Sequence, residues 1–459
     1  MERQNKKARR RFKLWHGIVA LLLLLFLLFR VTGSLKLKKQ LKVLRTKGYP
    51  VTLEELDRWY NIPEGAKNGG DVYMNAFSNY VKWDGDAERE LPDFGRASMP
   101  GRTQPLNASM RQFVEKFLSD NEKTLTLLHE AASIEHCRYP IDLTKAPVDL
   151  MGGPGSPASW VEDIRSGTRL LRLETLSHCE SQDPNKALKS IRANFALAEF
   201  IGAPLLVHRL IHNSVQSRTY KSIERVLNRI QFTDEQLLGL SAWIKESRSD
   251  DGYIKALVGE RCIGLSAFQG PVGQATDQMG AGGGKAPILM LGLWKMLGLH
   301  YRDALVYIGL MQENIDAMEL PSDERLLVFD SIQEDVNSGK RGGLLTRLLW
   351  PALARTLDID TRCTAEALAA RTALAVERYR LADGHLPESL ENLVPTYMEV
   401  VPRDPFDGRR LRYFTRENGF VVYSVGDDLT DEGGAERDGR GRDRRGKPLP
   451  WDITFIMER

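Results

Sequence analysis

The feature that most constrains this chain is an uncharged apolar run at residues 14–29, LWHGIVALLLLLFLLF. A helix rises about 1.5 Å per residue and needs roughly 20 residues to cross the hydrocarbon core of a bilayer. The run reaches that length if it extends to Ser34 and Arg30 places its guanidinium among the lipid headgroups. We therefore predict a transmembrane anchor at residues 14–34, preceded by a basic tail at residues 1–13.

A cleaved signal peptide is the alternative to this anchor. Val31 and Gly33 are small enough to resemble a cleavage site before Ser34, but an A-x-A sequence is absent and Arg30 interrupts the approach to the site. We therefore expect the anchor to stay on the protein.

The orientation follows from the short tail. Seven Lys and Arg residues precede the apolar run and seven follow it up to Lys47, so the count of positive charges alone is a tie. Exporting a short tail with seven positive charges is unfavourable, whereas a long downstream domain is translocated largely regardless of its charge. We expect the N-terminus in the cytosol and the body outside, with the lipid bilayer as a partner through residues 14–34.

The formal charge of +3 is a near-cancellation between two unlike regions. Residues 1–47 hold 14 Lys and Arg against a single acid, Glu2, whereas residues 48–459 hold 50 bases and 60 acids. Nucleic-acid binding needs a surplus of positive charge on the binding face. We therefore expect no nucleic-acid partner for the acidic body, and we read residues 35–51 as a basic juxtamembrane segment.

Residues 52–360 carry the pattern of a helical domain. Thr52 with Glu55 three residues later is typical of a helix start, and apolar residues then recur at three- and four-residue spacing. Short turns, as at residues 202–204, favour an array of helical hairpins; a tetratricopeptide repeat is the alternative, although no period of about 34 residues recurs. The predicted helices cover residues 106–134, 157–180, 184–202, 204–230, 233–247, 287–320 and 343–357, with loops at residues 151–157 and 270–287.

A different pattern begins at residue 364. Apolar residues from Ala365 to Tyr379 predict an amphipathic helix that ends at Asp383-Gly384. Residues 364–459 are therefore predicted to form a small α+β module at the end of a mainly α protein. Its other predicted elements are a short helix at residues 387–393, a turn at 404–408, a hairpin of strands 411–415 and 420–425 around Asn418-Gly419, and a last strand at 452–457.

Six short sequences occur in order in this module: residues 379–387 (YRLADGHLP), 390–394 (LENLV), 401–408 (VPRDPFDG), 422–428 (VYSVGDD), Gly433-Gly434 and Asp452-Ile453. The ordered set resembles the globular part of the major (G-type) pseudopilin of type II secretion. The resemblance implies a pseudopilin-like α+β fold and a calcium-binding loop after the Y-S-x-G sequence. In that family the membrane helix leads directly into the globular part, whereas here residues 35–363 lie between them.

The whole chain is also similar to bacterial single-pass membrane-anchored proteins with a helical middle region. The matching stretches are residues 48–56 (GYPVTLEEL), 257–261 (LVGER) and 310–311 (LM). This resemblance implies an architecture and a bacterial cytoplasmic (inner) membrane, without an activity.

Carboxylates of the tail suggest a calcium site. Four of them lie within six residues, and Gly433-Gly434 lets the backbone turn carbonyls inward, which suits an ion that takes six to eight oxygen ligands. Leu429 stands where the family has glycine, and five arginines at residues 437–445 repel a cation, so a solvated acidic loop is the alternative. The candidate ligands are Asp427, Asp428, Asp431, Glu432 and Asp452.

Histidines and cysteines of the helical domain suggest a zinc site. His208 and His212 are spaced to present two imidazoles on one helix face, and a His-Cys pair occurs at residues 136–137 and again at His178-Cys179. No Glu lies between His208 and His212, so the zincin motif is absent, and packing or capping roles are the alternative. The candidate zinc ligands are His178, Cys179, His208 and His212.

Other motifs are incomplete. Residues 280–285 (GAGGGK) resemble a phosphate-binding loop, but Met279 replaces its first glycine and Ala286 its hydroxyl residue. No G-x-S-x-G sequence occurs. Glu260-Arg261 predicts an internal ion pair from one helix to another, with an acid/base role for the carboxylate as the alternative.

Two functions remain open on this sequence. The first is a membrane-anchored extracytoplasmic scaffold or interaction protein with an envelope partner, linked to envelope or secretion machinery. The alternative is a metal-dependent envelope hydrolase with its site in the helical domain. Because no catalytic motif is intact, the sequence leaves open whether the protein is an enzyme.

Overall fold

The computed structural model describes residues 2–94, 97–145, 159–270, 272, 285–351, 353–436 and 451–459. Within them the protein is mainly helical and has one small antiparallel sheet near its C-terminus, as the sequence predicts. The helices are α1 (Glu2–Thr46), α2 (Leu53–Trp59), α3 (Gly69–Ser78), α4 (Asp86–Arg89), α5 (Ala108–Asp120), α6 (Glu122–Ala131), α7 (Ser159–Glu180), α8 (Pro184–Phe200), α9 (Leu206–Leu227), α10 (Asp234–Glu246), α11 (Asp250–Gln269), α12 (Lys285–Met296), α13 (Leu299–Ala317), α14 (Ser322–Asn337), α15 (Leu344–Leu349) and α16 (Leu353–Asp383).

Helix α1 contains the apolar run and continues beyond it without a break. Its part Trp15–Thr46 is the one helix among the described residues that is long and apolar enough to cross a membrane, with a mean hydropathy of 2.5 in a window of which nothing is buried. After Arg30 the helix becomes amphipathic: Leu37, Leu41 and Leu44 form a buried stripe that packs against the body, mainly α13. The predicted limits at residues 13 and 34 therefore lie inside a single helix.

Helix starts follow the expected chemistry. The Thr52 side chain accepts a hydrogen bond from the backbone N–H of Glu55 (3.2 Å), while Glu55 accepts from Val51 (3.0 Å). A reciprocal capping box, which the sequence pattern did not single out, opens α10 at Thr233 and Gln236.

Three predicted helices are each divided in two, and one of them, at residues 343–357, is divided between α15 and α16. The segment 106–134 breaks at Asn121, whose side-chain amide bonds both backbone groups of Val81 (2.9 and 3.0 Å). The segment 287–320 breaks at Gly298, where φ is +76°, a conformation that favours glycine.

Four helices, α3, α4, α11 and α14, lie inside the predicted helical domain but outside the predicted helix segments. In α11 the glycines that lower the helix propensity serve packing: an added Cβ on Gly264 would lie 2.2 Å from the Tyr307 hydroxyl.

The sheet consists of β1 (Arg412–Arg416), β2 (Gly419–Ser424) and β3 (Ile453–Glu458), in the order β1-β2-β3, after a 3₁₀ turn at Leu390–Leu393. The observed strands lie within about one residue of the predicted ones. Asn228 at the end of α9 bonds β3 through both amide atoms, to Ile456 O (2.8 Å) and from Glu458 N (2.7 Å).

The tail and the helical body share a core. Ile223 of α9 and Leu240 of α10 belong to the same buried cluster as Leu374 of α16, Phe420 of β2 and Phe455 of β3. The predicted limit between residues 360 and 364 lies inside α16, so one continuous helix joins the two regions.

Asp404 connects two of the sequences that carry the pseudopilin resemblance. Its fully buried carboxylate accepts hydrogen bonds from Phe406 N (3.0 Å), Ser424 Oγ (2.8 Å), Val425 N (2.9 Å) and Arg412 Nη1 (2.6 Å). The turn after residue 401 and the loop after residue 422 are therefore one structural unit.

Candidate functional site

A cleft of about 500 Å³ lies where the turn between α8 and α9 meets the turn between α10 and α11. We call it the His212 cleft. Gly259 of α11 passes so close to one wall that an added Cβ would lie 1.6 Å from the carbonyl oxygen of Pro204, and only glycine permits this approach. Its lining residues are Trp59, Tyr60, Asn61, Cys137, Glu199, Ile201, Gly202, Ala203, Pro204, His208, Arg209, His212, Glu246, Ser247, Ser249, Asp251, Gly252 and Lys255.

His212 and Glu199 meet in the wall of the cleft. The Nε2 atom of buried His212 lies 2.9 Å from an Oε atom of Glu199, and Nδ1 lies 3.4 Å from a guanidinium nitrogen of Arg209. Because a carboxylate only accepts and a guanidinium only donates, these two partners favour the proton on Nε2 and Nδ1 as the acceptor, and Gln216 Nε2 also lies 3.2 Å from Nε2. Burial lowers the pKa of His212, the Glu199 hydrogen bond opposes this, and the positive charges of Arg209 and Arg248 lower it further. The imidazole is neutral near pH 7, with both nitrogens engaged.

Asp360 of α16 holds the arginines behind this wall. Its buried carboxylate accepts from Arg209 Nε (2.7 Å), Asn213 Nδ2 (2.9 Å) and Arg248 Nη2 (3.0 Å). Burial acts to raise the Asp360 pKa, but the two arginines and the amide outweigh it and hold that pKa far below its ordinary value. Arg248 also donates to Thr364 Oγ1 (2.6 Å). This network clamps α9 and the α10–α11 turn to α16.

The rim of the cleft has a surplus of acids. Glu199, Glu246 and Asp251 are exposed there, against one exposed lysine, Lys255. The exposed indole of Trp59 lies on the same rim. An acidic rim beside an indole suits a cationic group such as an ammonium or a guanidinium.

The four predicted zinc ligands do not share one site. His208 and His212 both line the cleft, but His208 bonds the carbonyl of Ile201 through Nδ1 (3.0 Å), and burial lowers its pKa to about 4. His178 lies beside Glu174 (3.9 Å) near the end of α7, and burial raises the pKa of the Cys179 thiol to about 11.

Three of the predicted calcium ligands are bound by other groups of the protein. Asp427 forms an ion pair with Arg362, and Asp428 accepts a hydrogen bond from a backbone N–H two residues further along (3.0 Å). Asp431 accepts from the Tyr423 hydroxyl (3.1 Å). Each of these three carboxylates is therefore engaged within the loop or with the body.

Glu432 and Asp452 remain as a pair. Asp452 accepts from Gly434 N (2.7 Å) through Oδ2, while its Oδ1 and both carboxylate oxygens of Glu432 are buried and receive no hydrogen bond from the described residues. Burial raises the pKa of both Asp452 and Glu432. The negative charges of Asp428 and Asp452 raise the pKa of Glu432 further.

Across the described part of the chain, no group of three or more His, Cys, Asp or Glu side chains is arranged to hold a metal ion. The zinc site and the five-carboxylate calcium site therefore stay predictions.

Among the described residues, neither Glu260 nor Arg261 forms the helix-to-helix ion pair that the sequence predicts. Glu260 accepts from the backbone N–H of Leu206 (3.1 Å) at the start of α9, and burial raises its pKa to about 7. Arg261 donates to Gln312 (2.8 Å) and lies 5.2 Å from the ring centre of Tyr49. Consecutive residues of a helix point in different directions, so the two side chains meet different neighbours. Each is held by those neighbours and not by an opposite charge.

Three sequence predictions fall outside the described residues. These are the loop at residues 151–157, the glycine-rich loop at residues 280–284 and the arginine run at residues 437–445.

Comparison with protein-family models, curated proteins and solved structures finds no match for this chain.

His208 and His212 could be identified from the sequence, whereas Glu199, Arg248 and Asp360 could not. A signal for the network was present on α9, where Arg209, Asn213 and Gln216 follow at four- and three-residue steps and form a polar stripe on a buried helix. Such a stripe predicts buried polar partners, but it does not identify them.

Proposed function

We propose that this protein is a single-pass, membrane-anchored scaffold or interaction protein, with its N-terminus in the cytosol and its body outside a bacterial cytoplasmic membrane. The observation that carries the proposal is the continuity of α1, which passes from an exposed apolar stretch directly into the packed stripe of Leu37, Leu41 and Leu44. A helix built this way holds the body at a fixed distance from the bilayer.

Contacts before Ser34 favour an anchor over a cleaved signal peptide. An added Cβ on Gly298 would lie 2.7 Å from Arg30 Cγ, and one on Gly33 would lie 3.1 Å from Tyr301 Cβ. Cleavage before Ser34 would remove both contacts with the body, whereas a retained anchor keeps them.

We further propose that the His212 cleft receives a cationic side chain of an envelope partner. The acids Glu199, Glu246 and Asp251 supply the charge and Trp59 a ring face for it. Asp360 and its arginines hold the wall in place behind His212.

The pseudopilin-like tail and the helical-hairpin array belong to the same proposal. Support for the tail comes from Asp404, which ties two of the resembling sequences together. Support for the array comes from α7, α8 and α9, which follow one another across short turns and pack pairwise. A link to secretion machinery rests on the resemblance.

Site-directed photo-crosslinking in intact cells tests the partner site. With p-benzoylphenylalanine in place of Trp59, we expect a discrete adduct that is lost when Glu199→Gln and Glu246→Gln are combined in the same chain. The matched control carries the photoreactive residue in place of Leu327, an exposed leucine of α14 that does not line the cleft. Equal adducts from both positions, or an adduct at Trp59 unchanged by the two substitutions, would contradict the proposed site.

A further inference from the structure

The end of α12 exposes an apolar patch next to α1. Residues 286–299 (APILMLGLWKMLGL) contain one charged residue, Lys295. Four large side chains within seven residues are open to the surroundings: Leu293 (51% exposed), Met296 (56%), Leu297 (38%) and Leu299 (39%). We call these four the α12 patch. Contiguous apolar patches of this kind mark interaction sites.

The one charge of this stretch is turned away from the patch. Lys295 donates hydrogen bonds to the carbonyl oxygens of Ala267 (2.9 Å) and Gly270 at the end of α11. Its ammonium group is thereby held by the body, and the exposed side of α12 carries no charged group between Leu293 and Leu299.

Contacts with α1 place the patch at the height where the apolar run ends. Arg30 lies against Gly298, and Gly33 lies against Tyr301. From the first contact to the second, the position moves three residues along α1 and three residues along α13. Helix α13 therefore starts beside Arg30 and runs in the same direction as α1. Among the described residues, the α12–α13 turn therefore lies beside the end of the apolar run at residues 14–29.

From this geometry we infer that the α12 patch is a second membrane contact, which enters the boundary between headgroups and acyl chains beside α1. The inference rests on the proposed anchoring of α1. The occupant is the lipid bilayer, since the patch lies beside Arg30 of α1, where the exposed apolar run ends.

Charge on the next part of α1 fits this arrangement. Lys36, Lys38, Lys39 and Lys42 are exposed just beyond the level of the patch, where anionic headgroups attract them. Two contacts, a crossing helix and an interfacial patch, fix the tilt of the body as well as its height.

Depth-dependent fluorescence quenching on the full chain tests this inference. A Cys137→Ser background removes the one cysteine that is not fully buried. An NBD fluorophore is then placed at Leu297→Cys, with Leu24→Cys in the apolar run as the anchoring reference and Leu327→Cys (71% exposed) as the water-exposed control. Vesicles of phosphatidylcholine and phosphatidylglycerol carry a nitroxide near the headgroup or near the chain end.

We expect the label at position 297 to lose most of its fluorescence to the shallow nitroxide, and the label at position 327 to lose little. Quenching at 24 together with equal, weak quenching at 297 and 327 would overturn the second contact while anchoring stands. A blue-shifted but unquenched label at 297 would place a protein surface over the patch and would also overturn it. Absence of quenching at 24 would instead overturn the anchoring on which the inference rests.

Discussion

Asp360 and Asp452 are both almost fully buried, at 3% and 1% exposed, yet their environments act in opposite directions. Asp360 faces two arginines and an amide, and its pKa is held far below the ordinary value. Asp452 receives backbone N–H groups but faces Glu432, and its pKa is raised, chiefly by burial. Burial alone therefore does not decide how a carboxylate titrates, because the charges that the fold brings to it decide the sign.

The two sites differ in whether the protein supplies hydrogen-bond donors and a counter-charge to the buried carboxylate. The charge of Asp360 is satisfied by the protein, which makes it a structural clamp behind the His212 cleft. Glu432 and Asp452 bring two like charges together with buried oxygens that the described residues leave without donors, an arrangement that favours a bound proton or cation. Changing one carboxylate at a time tests this difference between the two sites.

Replacing Asp360 should have the largest effect. Asp360→Ala leaves Arg209 and Arg248 buried without their counter-charge, so we expect a loss of about 3–5 kcal/mol in the free energy of unfolding. Urea denaturation of the detergent-solubilised chain measures it. Asp358→Ala, two residues earlier on α16, is the matched control, since burial and neighbouring acids raise the Asp358 pKa. Similar losses in both variants would show that Asp360 is no special clamp.

Replacing Glu432 should have a smaller effect of opposite sign. In the presence of a chelator, Glu432→Gln removes like-charge repulsion from Asp452, and we expect a gain of roughly 0.5 kcal/mol after solvent screening. If calcium binds here, adding it raises the Tm of the natural chain but not of the variant, because a ligand that binds only the folded state stabilises it. A destabilised variant in chelator, or equal calcium shifts in both chains, would contradict this reading.

The pH dependence of Tm should also distinguish the two sites, and we expect it to be the smallest of the three effects. A carboxyl whose folded pKa is raised binds more protons in the folded state, so its contribution to stability falls as pH rises through that pKa. With chelator, the Tm difference between Glu432→Gln and the natural chain should therefore be near zero at about pH 4 and positive at about pH 7. Asp360 acts oppositely: its contribution is present above the unfolded pKa of about 3.9 and is lost as pH falls towards the lowered folded pKa. A Tm difference that does not vary with pH would contradict the raised pKa values.

Local patterns predicted much of the fold. Helices α7 to α10 lie within about three residues of their predicted limits, and Asn418-Gly419 correctly marks the hairpin, because capping, periodicity and turn chemistry act over a few residues. The break at Gly298 could not be predicted from the sequence, because a glycine inside an apolar helical pattern can adopt either a helical or a positive φ. Helix α11 was missed because glycines such as Gly259 weaken its pattern while they permit close packing.

The site was less predictable than the fold. Two histidines of the cleft stood out by their spacing, but Arg209 and its partner Asp360 are 151 residues apart. No local rule connects such residues, and a cluster of this kind depends on how three distant helices pack. For the same reason, the acidic run of the tail suggested five ligands, whereas packing brings only Glu432 and Asp452 face to face.

The proposed function depends on α1 staying on the protein and anchoring it in the membrane. Extraction of cell membranes with alkaline carbonate, followed by intact-mass measurement of the chain in each fraction, tests it directly. We predict that the chain stays in the membrane pellet with a mass that includes residues 14–33. A chain released into the supernatant with a mass that begins at Ser34 would contradict the claim.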